Sequence, residues 1–355
     1  MSIAPRDPLA FDFGINFRTA PERLAGERDR RLVEAERTIP YCHAFLDDYL
    51  RCIMPHDLIL LGALTGAGKT EMARWIATSN AALGRHVFYF ALEAEPDEIE
   101  RRTKFSVLAG LVARDHVQVP GGFNYADWRV GRLETYVRLL DLEADEIAAD
   151  KYKTLHTYYR DSKFDHEAIR RLFMAVKDQA DLIVLDHLHY VDIDDDNENR
   201  GFKTTVKMIR DVSLGIGKPV LLIAHLRKKD TKLRFLVPSI DDFHGSSDIT
   251  KICTRAVLLA PAAKSAIEKM PRAHGKAATF FSIPKDRVSG ACSLIALCDF
   301  DWRSKKYDDG YTLGWQSKSG DKFEPLGLGE SPAWAKQHVP WMPAQPSHWQ
   351  DGAQQ

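Results

Sequence analysis

The sequence has no surplus of charge. Its 49 basic and 50 acidic side chains leave a formal net charge of −1 over 355 residues. That balance excludes a histone-like or coat function, which needs a global basic field, so any nucleic-acid contact must come from a local patch. Long apolar runs are also missing. Stretches such as Val220–Ala224 fall far short of the ~20 residues that span a bilayer, and no membrane segment is expected. The opening MSIAPRDPLAFDFG has no charged head, apolar block and small-residue cleavage site in series, which argues against a secretory leader. Cysteine is scarce and scattered: Cys42, Cys52, Cys253, Cys292 and Cys298 form no CxxC pair. That usage fits a reducing cytoplasm and predicts no zinc site.

What is present is an ordinary globular mix, 45% hydrophobic and 28% charged, enough for a sizeable core in one large domain with extensions. Residues 1–38 hold Pro5, Pro8 and Pro21 and then the arginine- and glutamate-dense stretch Glu22–Arg37. This arm reads as a solvated helix or as a linker helix that docks on a neighbouring subunit. From Asp57 onward, short apolar runs alternate with amphipathic segments, the mark of β-α units on a parallel sheet. The runs are Leu58–Leu61, Val87–Leu92, Leu182–Leu185, Val220–Ala224, Ala256–Leu259, Phe280–Ile283 and Leu294–Leu297. Helical patterns fall at Thr70–Leu83, Pro96–Ala109, Ala126–Ala149, His166–Lys177 and Phe202–Leu214. The last two runs read as an antiparallel hairpin appended to the parallel set. Five of the seven tryptophans lie after residue 301 among several prolines, no strand or helix period survives there, and 303–355 reads as a tail, extended or docked through its tryptophans, that can also recruit a partner.

The strongest chemical signal is Ala63-Leu64-Thr65-Gly66-Ala67-Gly68-Lys69-Thr70, which follows an apolar strand and opens a helix. Glycines there let backbone N–H groups from Thr65 to Gly68 approach phosphate oxygens, and the helix N-terminus adds positive potential. Lys69 would reach the terminal phosphates and the Thr70 hydroxyl would ligate Mg²⁺, so ATP and Mg²⁺ are the expected cofactors. The first motif position is Ala63 rather than glycine, with Gly62 one residue earlier. A second metal ligand is expected at Asp186, which ends the buried run Asp181–Asp186 at a strand's C-terminal edge. Glu93 ends the run Val87–Leu92 and is the expected general base, with Glu95 the weaker competitor. His225 ends a third strand and reads as a γ-phosphate sensor. The stretch Arg227, Lys228, Lys229, Lys232 and Arg234 carries five basic residues in eight positions, suited to binding phosphate backbones without reading sequence. Lys285 and Arg287 begin a hairpin turn from which an arginine can stabilise charge on a transferred phosphoryl group in a neighbouring subunit.

Together these residues resemble the DnaB-type replicative helicases, with features of the phage-type and Twinkle-like branch. The resemblance runs from Ile39-Pro40 through Pro55-His56-Asp57, Phe90-Ala91-Leu92-Glu93, Leu185-Asp186-His187-Leu188, Gly245-Ser246-Ser247-Asp248 and Lys285-Asp286-Arg287 to about Phe300. His225 stands where bacterial members have glutamine. The resemblance implies a RecA-like ATPase motor over 39–302, with a mainly parallel central sheet, helices on both faces and a C-terminal antiparallel hairpin. It further implies a homo-oligomer, in all expectation a hexameric ring, that translocates on single-stranded DNA. Two features depart from that pattern. Residues 1–38 are too few for the family's N-terminal domain, and the segment after Asp186 is acidic at Asp192, Asp194, Asp195, Asp196 and Glu198. They favour a second reading: a RecA-like nucleotide switch that assembles with ATP and recruits a partner through the tail. Ring and filament both stay open.

Overall fold

A computed structural model describes residues 19–119, 122–193, 197–226, 236–243, 247–268, 276–327 and 329–336. Two units are compact by themselves, one of them beginning at Ile39. The other contributes two short helices among the described residues, α1 (Ala20–Leu24) and α2 (Glu27–Glu36). Thr19 caps α1 through a capping box with Glu22. Gly26, with a φ of +69°, breaks the charged stretch into two helices.

The larger unit is built on one ten-stranded sheet. Its strands are β1 (Leu58–Ala63), β2 (Val87–Ala91), β3 (Leu155–Tyr159), β4 (Leu182–Asp186), β5 (Val220–His225), β6 (Arg255–Pro261), β7 (Lys276–Asp286), β8 (Cys292–Asp301), β9 (Lys306–Gln316) and β10 (Phe323–Pro325). They lie in the order β10-β9-β8-β7-β6-β1-β5-β4-β2-β3. From β6 to β3 all pairs are parallel, and from β6 to β10 all are antiparallel. All seven apolar runs read from the sequence are strands.

The parallel strands are buried on both faces, which is why they read as continuous apolar runs. In β1, Ile59, Leu61 and Ala63 face one core while Leu58 and Leu60 face the other. The first core is closed by the entry segment, with Phe45 and Leu46 of α3 (Ala44–Leu50), and by Met72, Ile76 and Ala77 of α4 (Lys69–Ala82). The second is closed by Ile169 and Phe173 of α8 (His166–Val176) and by Phe202, Val206 and Ile209 of α9 (Glu198–Ile216). Between β2 and β3 stand α5 (Glu98–Arg114), α6 (Tyr125–Arg129) and α7 (Thr135–Lys151). The single helix expected over 126–149 is thus broken, at Gly131 with a φ of +74°.

Three strands lie outside the sequence reading. β3 carries the sequence LHTYY and is only half-buried, so it shows neither an apolar run nor a clean alternation. β9 and β10 lie within the stretch expected to be a tail, and this is a correction. Strand β9 adds to the free edge of β8 through backbone pairing, which asks little of its side chains. Along it Tyr307 and Leu313 enter a core and Tyr311 packs against it, while Asp309 is exposed. The expectation of a docked tryptophan holds at Trp334 on α11 (Ala333–Lys336), whose ring packs 5.1 Å from Tyr49 and 6.3 Å from Phe45. No helix among the described residues is long and apolar enough to cross a membrane.

Candidate functional site

Register alone brings the functional strand ends together. In the parallel set Ala63 pairs with His225 and Ala91 with Asp186. The turn after β1, His225, Asp186 and Glu93 therefore leave the same C-terminal edge, where open α/β sheets bind ligands. They line a cleft of about 560 Å³ together with Thr65, Gly66, Gly68, Lys69 and Thr70. Ala63 and Ala67 are buried in the core beneath the loop instead.

In the turn itself Gly66 and Gly68 have φ of +79° and +91°, a left-handed backbone that side chains rarely tolerate. The Ala67 N–H donates back to the Leu64 carbonyl at 3.2 Å. Gly68 begins α4, and no side chain caps it. The first-turn N–H groups of that helix, with the positive end of its dipole, are thus offered to an anion. Lys69 is 6% exposed. Burial pushes its ammonium below the ordinary lysine range, while Glu93 and Asp186 across the cleft act in the opposite sense.

Asp186 sits at the base of the cleft. Burial raises its pKa to about 6, against the opposing pull of the Tyr89 hydrogen bond. The Tyr89 hydroxyl donates to Oδ2 at 2.6 Å. The other oxygen, Oδ1, is buried without a hydrogen-bond partner, although the Thr70 hydroxyl is near enough to favour the ionised form. A buried, unsatisfied carboxylate oxygen is costly. A hydroxyl, an orphaned carboxylate oxygen and a ready anion cradle make a donor set that fits a hard, hydrated cation such as Mg²⁺ carried in with a polyphosphate.

Glu93 is exposed into the cleft and accepts from the Tyr190 hydroxyl, whose pKa is raised by burial and then by Glu93. Its rival Glu95 is tied to Arg129 at 2.7 Å. His225 sits among imidazoles, its ring centroid 3.9 Å from that of His187. His187 is fully buried, and burial with neighbouring cations and imidazoles pushes its pKa down to about 2, so it is neutral.

Several cleft residues escape sequence reading. Glu71, on the first turn of α4, pairs with Arg74 at 3.0 Å and with Arg102 on α5. Burial alone would raise its pKa, but the two guanidiniums hold it below the usual value. Arg74 also donates to the Lys305 carbonyl at 2.9 Å, tying α4 to the turn between β8 and β9. At the rim the Lys305 ammonium lies 4.8 Å from the Trp302 ring and 5.8 Å from that of Tyr125. Trp302 is 53% exposed, a flat surface beside the cleft on which a planar ring can stack. These residues come from four separated segments, and a single sequence carries no signal that would join them.

Lys285 and Arg287 are not part of this cluster. Asp286 pairs with Arg255, which pairs with Ile59 near the start of β1. They therefore belong to the N-terminal edge, roughly 15 Å from the phosphate loop along the strand. Lys285 donates to the Thr250 and Lys251 carbonyls, and the exposed Arg287 to the Lys251 carbonyl at 3.0 Å, at the end of α10 (Ser247–Ile252). Burial and then Arg287 lower the Lys285 pKa. The basic residues Arg227, Lys228, Lys229, Lys232 and Arg234 lie outside the described residues, as do Asp194, Asp195, Asp196 and Gly245.

Comparison with known proteins adds the lineage. The family model described as DnaB-like helicase C terminal domain matches residues 39–307. Among solved structures, the ATPase domain of G40P is similar at a TM-score of 0.65 and 13% identity, covering 82% of this chain and 99% of that one. A DnaB-like replicative helicase, solved with attention to its interactions with primase, is similar at 0.58 and 13% identity, covering 81% of this chain and 62% of that one. At such identity these two likenesses carry the fold alone. No curated protein matches.

Proposed function

The chain belongs to the family of DnaB-like helicase C-terminal domains, and from that premise we propose that it is an ATP-hydrolysing motor acting on single-stranded DNA as a ring of identical subunits. The observation that carries the ATPase reading is the cleft that holds Lys69, Thr70, Asp186, Glu93 and His225 on one sheet edge beside an uncapped helix N-terminus. Backbone N–H groups of Thr65, Gly66 and Gly68 and the Lys69 ammonium hold the phosphates, in a turn that the Ala67–Leu64 bond closes. Thr70 and Asp186 would hold the Mg²⁺ that comes with the nucleotide, and the ion would supply positive charge to the phosphates. Glu93, exposed in the cleft, takes the proton of the attacking water. His225, which lines the cleft, senses the terminal phosphate on this reading and passes its presence to the basic segment that follows it in the sequence.

Arg287 supports the oligomeric part of the reading. It is exposed on the edge opposite its own cleft, so a phosphoryl group it stabilises belongs to another subunit. The segment Arg227–Arg234 supplies the charge for DNA. The alternative is a nucleotide switch that assembles with ATP and recruits a partner without unwinding. The acidic stretch Asp192–Glu198 favours it.

The two readings part in one experiment. ATP turnover is measured with and without single-stranded DNA, for the natural chain and for the variant with Arg227, Lys228, Lys229, Lys232 and Arg234 all changed to Ala. Stimulation by DNA in the first and its loss in the second supports the motor. Turnover indifferent to DNA in both supports the switch.

A further inference from the structure

Beside the phosphate loop, His225 stands against two further imidazoles, His187 and His189, to which the proposed hydrolysis gives no task. Glu93, His187 and His225 each present a ligand atom, and these atoms all lie within 4.8 Å of one another. Two imidazoles and one carboxylate form the donor set of a three-ligand zinc centre with one open position. The expectation of no zinc site rested on cysteine spacing, and this set contains no cysteine.

The second observation is the state of His187. Its side chain is fully buried, and its Nε2 has no hydrogen-bond partner. Burying an imidazole nitrogen without a partner costs free energy comparable to a lost hydrogen bond. The other nitrogen, Nδ1, accepts a long hydrogen bond from the His189 N–H at 3.5 Å and lies 3.3 Å from the Nδ1 of His189. Two acceptor nitrogens cannot face each other comfortably, so a proton must sit on one of them. A cation on Nε2 of His187 settles the tautomer. It moves the proton to Nδ1, where the His189 Nδ1 at 3.3 Å accepts it and the longer bond from the His189 N–H is given up. A ligating imidazole whose far nitrogen donates to a fixed neighbour is how metal-binding histidines are oriented.

The geometry points to a second cation site, separate from the Thr70–Asp186 position, in which Glu93, His187 and His225 bind Zn²⁺. Zinc ligands lie ~2.0–2.1 Å from the ion, hence about 3.4 Å from each other. The exposed Glu93 has the freedom to swing inward by the difference. Mg²⁺ prefers oxygen donors and does not compete for this site. The consequence rests on the ATPase reading: a zinc ion here engages the base and the phosphate sensor together, and turnover stops while the phosphate loop stays intact.

The test uses the full chain, freed of metal, without nucleotide and in excess Mg²⁺. Titration with Co²⁺ should give one equivalent with the intense visible absorption of tetrahedral coordination, displaced by Zn²⁺. His187→Asn should weaken this by at least about 100-fold while its melting curve stays cooperative. Should that variant unfold, Glu93→Gln, at an exposed position, must weaken cobalt binding instead. In the natural chain Zn²⁺ should inhibit ATP turnover in Mg²⁺ excess, and His187→Asn should resist it. Absent tetrahedral absorption, or the same absorption in both variants, overturns the site. Magnesium-dependent nucleotide binding without a cobalt site overturns this inference alone. A cobalt site without nucleotide binding overturns the ATPase reading and leaves the metal site standing.

Discussion

The two edges of the parallel sheet are built from the same polar vocabulary and use it oppositely. At the N-terminal edge, Arg255 is buried yet fully engaged. Its guanidinium bonds Asp57 and Asp286, each at 3.1 Å, and reaches the Tyr41 hydroxyl at 3.1 Å. Asp57 also accepts from the Thr254 hydroxyl at 2.8 Å and the Met54 N–H at 2.9 Å, while Asp286 accepts from Ser289 N–H at 2.8 Å. At the C-terminal edge, Asp186 and His187 are equally buried and each keeps an atom without a partner. A satisfied network fixes a fold, whereas an unsatisfied one is poised for a ligand. Between these two clusters, the difference sets the cleft apart from the staple.

The largest effect is expected on the cleft side. Lys69→Ala should lower ATP turnover by about 10³-fold or more without lowering the melting temperature. Normal turnover would remove the phosphate-loop assignment. Arg287→Ala tests the one residue of the opposite edge that the proposal gives a chemical task. Its loss should also be about 10³-fold, and activity should partly return on mixing with Lys69→Ala subunits, since site and finger then come from different chains. If mixing restores nothing, Arg287 serves its own subunit or has no such task.

Stability effects come next, and their sign separates the edges. Arg255→Ala leaves Asp57 and Asp286 buried near each other without their cation, and should cost about 3–5 kcal/mol in denaturant unfolding. A loss below about 1 kcal/mol would mean the network is not the staple described. The smallest effect carries the sharpest contrast. The folded carboxyl of Asp186 titrates at about 6 against a reference of 3.8, so the native state holds its proton more tightly than the unfolded one. Stability must then fall as pH rises from about 4 to 6. Asp186→Asn should therefore stabilise the chain at pH 8 by about 3 kcal/mol without metal or nucleotide, and by little near pH 4. Asp57→Asn should destabilise it at pH 8. Calorimetry at the two pH values decides, and a destabilised Asp186→Asn would erase the contrast.

Much of the parallel half was legible because strands buried on both faces leave unbroken apolar runs. On the antiparallel flank the hairpin of β7 and β8 was legible for the same reason, and the outer strands β9 and β10 were not. Lys306–Gln316 joins the sheet by its backbone, and Gly310, Asp308 and Asp309 carry no strand signal. β3 was hidden for the same reason, with histidine and tyrosines half-buried at the far margin. In the cleft, residues at strand ends were visible because they follow apolar runs. Arg102, Lys305 and Trp302 were not, since their roles depend on contacts across 31 to 231 residues. His187 and His189 lay in plain view beside Asp186, and the doublet was the one signal that a closer reading could have used.

One feature of the flank bears on how copies of the chain can meet. The sheet finishes on β10, three residues ending in Pro325, a residue with no N–H to offer a further strand. A margin so short and so poor in donors is a weak template for edge-to-edge aggregation. At this margin crowded subunits are thereby discouraged from zipping into extended β-ribbons.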